Sequence, residues 1–149
     1  MALAPASEFG KNNNKEGTFN KFVMEVKIKK LHKDAVIPKY AKVGDAGMDL
    51  TAVSMNVDEY GNICYGTGLA FEIPEGYVGL IFPRSSNCKK GIILTNCVGV
   101  IDSGYRGEVS FKFKEIALGN FSKVHYKVGD RVGQIIIMPY PQIEFVEVD

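Results

Sequence analysis

Residues 92–113 read IILTNCVGVIDSGYRGEVSFKF. Two runs rich in β-branched and aromatic residues, Ile92–Thr95 and Val109–Phe113, flank a middle that carries Gly99, Gly104 and Gly107. The runs predict the two arms of a β-hairpin, and the glycines predict a bent tip between them. An acid and a ring, Asp102 and Tyr105, stand three residues apart in that tip.

The same pattern recurs outward along the chain. Strand-like runs fall at Leu69–Ile73, Tyr77–Phe82, Val132–Met138 and Ile143–Val148, with turn signals PEG at 74–76, KKG at 89–91, GN at 119–120 and VGD at 128–130. Near the start, Val26 and Ile28 alternate with Lys27 and Lys29, as in a half-buried strand. Those lysines read as a solvated face or as guards on an edge strand, rather than as a nucleic-acid patch. No segment holds a helical period for ten residues, and at most one short helical turn follows Pro83. Sixteen glycines and six prolines fit a turn-rich all-β chain, so the expected fold is a sandwich, barrel or jelly roll.

The 149 residues and 46% hydrophobic content suit one domain, expected over residues 23–149. Residues 1–22 are poorly patterned, lack the basic-then-apolar order of a signal peptide, and read as a flexible leader. Eighteen basic against 17 acidic residues give a net charge of +1, with no general pull toward nucleic acid or anionic membranes. A small anion would need a local basic site. Three cysteines with no CxxC pair argue against a disulfide framework and for a reducing, cytosolic setting. The two histidines, His32 and His125, lie far apart, and no zinc-type cluster is visible. No apolar run approaches a membrane span.

Four polar islands interrupt the strands. In GDAGMDL (44–50), Asp45 reads as a turn residue, whereas Asp49 sits between Met48 and Leu50 and needs a cation, a metal-bound water or backbone N–H groups. In PRSSN (83–87), Arg84, Ser85 and Ser86 follow a strand end, which makes either a phosphate cradle or a helix cap with a surface arginine. The hairpin tip offers main-chain N–H and C=O groups to a nucleobase edge, Tyr105 to the face of a sugar and Asp102 to a water. A plain Asp-Ser-Gly turn accounts for the same residues. In GDRVGQIII (129–137), Gln134 fits a phosphate contact or a core hydrogen bond equally well.

Taken in order, DAGMDL, PRSS, TNCVGVIDSGYRGEV and GDRVGQ resemble the first four motifs of the trimeric dUTP diphosphatases, the dUTPases. The strand VKIKKL and the run PEGYVGLIFPRSS are similar to that family too, so the resemblance spans about Met24 to Asp149. It implies a jelly-roll-like β-barrel, a homotrimer with active sites at subunit interfaces, and Mg²⁺-dependent hydrolysis of dUTP to dUMP and pyrophosphate. That reaction limits uracil incorporation into DNA and supplies dUMP for dTMP synthesis. By the resemblance, Asp102 is the general base that holds the attacking water, and Tyr105 excludes a 2′-hydroxyl. Asn96 and the main chain of Gly99, Val100 and Ile101 read uracil. Arg84, Ser85, Ser86 and Gln134 contact the triphosphate, and Asp49 supports the metal through water. The location implied is cytoplasmic, or nuclear in a eukaryote.

The sequence departs from the family pattern twice. Ser86 stands where many members have glycine. The sequence ends at IEFVEVD, before the glycine-rich, arginine-containing arm that closes over the phosphates in the family. Without that arm, slow hydrolysis with an intact nucleoside pocket is the expectation. Two alternatives follow: a dUTP-binding regulator with weak or no hydrolysis, and the related dCTP deaminases, which share the barrel but rely on a glutamate at the base.

Overall fold

The computed structural model describes residues 23–116 and 125–149. The leader expected over residues 1–22 lies outside them, as does the turn at 119–120.

Ten strands appear among the described residues: β1 (Lys27–Lys30), β2 (Met48–Thr51), β3 (Ser54–Val57), β4 (Ile63–Gly66), β5 (Leu69–Glu72), β6 (Tyr77–Phe82), β7 (Ile92–Leu94), β8 (Gly99–Ile101), β9 (Ser110–Glu115) and β10 (Arg131–Pro139). They form two four-stranded sheets, β2-β10-β6-β8 and β3-β4-β9-β7, and a two-stranded β1-β5 ribbon. Every pairing among them is antiparallel. This is the all-β architecture that the turn-rich sequence predicts, in the jelly-roll-like form that the family resemblance implies.

The inner faces meet over a core in which Leu50, Ile81, Val132 and Ile135 of one sheet oppose Tyr65, Phe111 and Phe113 of the other. The β9 alternation, buried at Phe111 and Phe113 and exposed at Ser110 and Lys112, is the period of two that drives a strand onto a core. The aromatic cluster is ordered: Tyr65 meets Phe113 edge-on at 5.9 Å, an arrangement worth roughly 1 kcal/mol beyond area burial.

The hairpin arms pair as expected, with Ile92 opposite Glu115 and Leu94 opposite Phe113. The stretch between them is not a free tip. It crosses to the other sheet, where β8 pairs with β6, Gly99 opposite Ile81 and Ile101 opposite Gly79. The second correction concerns Ile143–Val148, which forms no strand. Its alternating apolar residues find no partner strand among the described residues, and Ile143, Phe145 and Val148 stay 66%, 93% and 84% exposed. The helical turn after Pro83 is present as a 3₁₀ turn, Ser85–Lys89.

Candidate active site

The cluster expected to hold phosphate is built from strand register. Gln134 of β10 lies opposite Asp49 of β2 and, on its other flank, opposite Phe82 of β6. Residues directly opposite in a sheet share a face, so Asp49, Gln134 and the end of β6 form one row. A β-bulge between Arg131 and Gly133 inserts one extra residue into β10. Bulges re-aim side chains, and here Arg131 meets Asp49.

Asp49 is held by two cations. Arg84 Nε donates to Oδ1 at 2.8 Å, and Arg131 Nη1 donates to Oδ2 at 3.0 Å. The Asp49 side chain is 28% exposed, Arg84 25% and Arg131 57%. Solvent therefore screens the outer pair more than the inner one, and the arrangement serves geometry more than stability. Arg84 Nη1 makes a long bond of 3.4 Å to Ser86 Oγ. Gln134 Nε2 donates to the Pro83 carbonyl at 3.1 Å, which ties the loop to β10. This internal hydrogen bond is one of the two roles open to Gln134.

Arg84 itself is the extended residue that precedes the 3₁₀ turn, and no side chain caps that turn. The serine hydroxyls are thus not consumed as caps. Asp45 and Asp130 do close turns, accepting from the backbone N–H of Lys42 at 3.0 Å and of Lys127 at 2.8 Å.

The cleft expected to hold a nucleoside is built from main chain. β8 is an edge strand, so alternate N–H and C=O groups face away from β6. Gly99 is required by close approach: a Cβ there would overlap the Ile81 side chain. Cys97, at φ 59, makes the left-handed corner that leads into β8. Tyr105 folds back over Gly107, with its hydroxyl donating to the Glu108 carbonyl at 3.0 Å. The Tyr105 N–H donates to the Asp102 carbonyl at 3.0 Å, which sets the acid and the ring on one turn. A cleft of about 230 Å³ opens here, lined among others by Asn96, Gly99, Val100, Asp102 and Tyr105. Asp102 and Asn96 are exposed to it.

Within one chain the two halves are separate. Arg84 and Ser85 border a different hollow, of about 440 Å³, which shares no lining residue with the nucleoside cleft. Three residues stand out that sequence reasoning gave no role. Arg131 had a signal, as a cation inside GDRVGQ. Glu108 receives the Gly68 N–H on its carboxylate at 2.7 Å and so pins the hairpin base to the β4–β5 turn. Tyr126 is a buried tyrosine near Ser86 and Arg84. Burial pushes its phenol up, against the opposing effects of the Ser86 hydroxyl and the Arg84 charge. Among the described residues no three His, Cys, Asp or Glu side chains gather as a metal site. Cys64, Cys88 and Cys97 are free thiols.

A family model described as dUTPase matches residues 33–149. The deoxyuridine 5'-triphosphate nucleotidohydrolase of Finegoldia magna is 41% identical over 131 residues, covering 83% of this chain and 88% of that protein. That of Tropheryma whipplei is 40% identical over 127 residues, covering 82% and 84%. Among solved structures, the Staphylococcus bacteriophage 80alpha dUTPase superposes with a TM-score of 0.71 at 25% identity, over 84% of this chain and 96% of that one. A mutant of the same phage enzyme, bound to dUpNHpp, gives 0.72 at 24% identity, over 85% and 97%. A mutant dUTPase from phage phi11 of S. aureus, described with a structural Mg(II) ion, gives 0.69 at 24%, over 85% and 97%. With four ordered motifs laid out as one barrel and its two half-sites, and relatives of this closeness over most of its length, the chain belongs to the dUTPase family.

Proposed function

We propose that this chain hydrolyses dUTP to dUMP and pyrophosphate, with water attacking the α-phosphorus. The observation that carries the reading is the cleft in which the open edge of β8, Asp102 and Tyr105 converge. The β8 main chain pairs with uracil. Cytosine inverts the donor–acceptor pattern and would leave buried main-chain groups unpaired, which a site rejects strongly. Asn96 stands at the entrance to β8 and completes the base contact. The Tyr105 ring, fixed by its bond to Glu108, lies against the deoxyribose and leaves no room for a 2′-hydroxyl.

Asp102 is the general base. Its side chain is exposed to the cleft and accepts no hydrogen bond among the described residues, so a water has it to itself. Phosphoryl transfer needs positioning and charge stabilisation above all. Arg84, Ser85 and Ser86 supply these to the triphosphate, and Gln134 braces their loop. Both Asp49 oxygens are engaged by guanidinium groups, so Asp49 acts on the cradle through Arg84. Mg²⁺ would be held chiefly by the phosphates of the substrate, where it would offset their charge, with Asp49 and Arg84 at the cradle beside it.

The homotrimer is part of the same reading. It brings the nucleoside cleft of one subunit to the phosphate cradle of another, which one chain keeps apart. The exposed apolar residues of 143–148 and the apolar hollow lined by Met24, Ile37, Tyr40 and Tyr77 support such an assembly. The free thiols fit a reducing compartment, cytosolic or nuclear.

Incubation with each dNTP, UTP and Mg²⁺ tests the proposal. Pyrophosphate release from dUTP alone is expected. Ammonia release from dCTP, or binding of dUTP without any turnover, would replace it.

A further inference from the structure

Tyr126 is 3% exposed and held on several sides. Tyr65 meets its ring edge-on at 6.0 Å, Phe113 lies tilted at 5.7 Å, and Lys90 Nζ sits 4.3 Å from the ring centroid. Its carbonyl accepts the Tyr65 hydroxyl at 2.9 Å. The packing accounts for the ring but not for the hydroxyl, whose neighbouring polar group is the Ser86 side chain. That oxygen is buried and closes no hydrogen bond among the described residues. A hydroxyl left so destabilises a fold, and phenylalanine would pack as well without it. The oxygen lies beside the Ser86 hydroxyl and in the field of Arg84. Ser86 Oγ in turn receives the long bond from Arg84 Nη1, at 3.4 Å.

We propose that Tyr126 is a positioning residue of the phosphate cradle, donating its hydroxyl proton to Ser86 Oγ when the triphosphate is bound. The inference rests on Pro83–Ser86 as the phosphate site. A serine oxygen has two acceptor positions and one proton. With Tyr126 and Arg84 at the acceptor positions, the Ser86 proton is left to point outward, toward an anionic oxygen. Ser86 then acts on the triphosphate as an oriented donor, beyond its backbone N–H. A glycine at position 86, the residue of many family members, has nothing for a buried phenol to orient. Ser86 and Tyr126 are therefore read as one device.

A double-mutant cycle with two ligands tests it. Tyr126→Phe, Ser86→Gly and the double variant are titrated with dUpNHpp, which fills the cradle, and with deoxyuridine, which reaches only the hairpin. Tyr126→Phe is expected to weaken dUpNHpp by about threefold to tenfold. Deoxyuridine affinity should hold, the melting temperature should hold or rise, and dUTP turnover should lose more in KM than in kcat. In the Ser86→Gly background the same substitution should change dUpNHpp affinity by less than about twofold, the signature of coupled partners. Ser86→Ala, which leaves the core untouched, should lose as much as Tyr126→Phe. No loss in either single variant, an equal loss in both backgrounds, or an equal loss for deoxyuridine would overturn the proposal. A parent protein that binds deoxyuridine but not dUpNHpp would overturn the cradle beneath it, and is distinguishable from the other outcomes.

Discussion

The phosphate cradle and the nucleoside hairpin are built on opposite plans. In the cradle, side chains from β2 and β10 brace the loop that follows β6: Asp49 holds Arg84 and Arg131, and Gln134 holds the Pro83 carbonyl. In the hairpin the working surface is main chain, and its side chains stand in the open; Tyr105 is 44% exposed. The cradle is thus a charge network in which each side chain is fixed by another. The hairpin is a backbone edge whose shape depends on glycine. Side-chain truncation should damage the first, and added side-chain bulk the second.

The largest effect should come from Asp102, the hairpin side chain proposed as general base. Asp102→Asn should lower kcat on the order of 10²–10⁴-fold with dUTP affinity kept, as single-turnover and binding measurements would report. Full activity in that variant would remove Asp102 from its role. Next, Asp49→Ala should raise the KM for dUTP by about tenfold to a hundredfold, because it releases two charge-assisted hydrogen bonds at once. Deoxyuridine binding should not follow it. If both ligands weaken together, the two regions are coupled and the contrast fails.

Gly99→Ala probes the other plan. Its methyl would press on Ile81, costing about 1–3 kcal/mol of stability in a melting experiment. It should weaken deoxyuridine more than pyrophosphate. The smallest effect should be a change of selectivity: Tyr105→Ala should improve UTP turnover relative to dUTP by about tenfold. An unchanged ratio of the two kcat/KM values would assign ribose exclusion to another group.

Much of this was legible in the residues alone. β5, β6, β9 and β10 follow from apolar runs bounded by turns, and the site motifs are short and ordered. β3 was not legible, because its alternation of Ser54, Met55, Asn56 and Val57 runs for only four residues and buries none of them. β4 is its opposite, buried at every residue, and four such residues do not specify a strand. The crossing of β8 to a second sheet depends on Gly99 meeting Ile81, a long-range fit with no local signal. The tail at 143–148 alternates like a strand, yet a period of two states only that a partner face is needed, not that the same chain provides one. Asp49 was marked as needing a partner, but which cation answered it depended on a bulge in β10. Tyr126 left no mark in sequence, since its hydroxyl becomes unusual only once the ring is buried beside Ser86.

The most direct measurement is a backbone-amide titration of the isotope-labelled protein with dUMP. If the open edge of β8 reads uracil, the amides of residues 96–102 shift first and furthest, and dCMP at the same concentration leaves them in place. Saturable dUMP binding that leaves those amides unmoved, or moves them equally with dCMP, would contradict a base read by main chain.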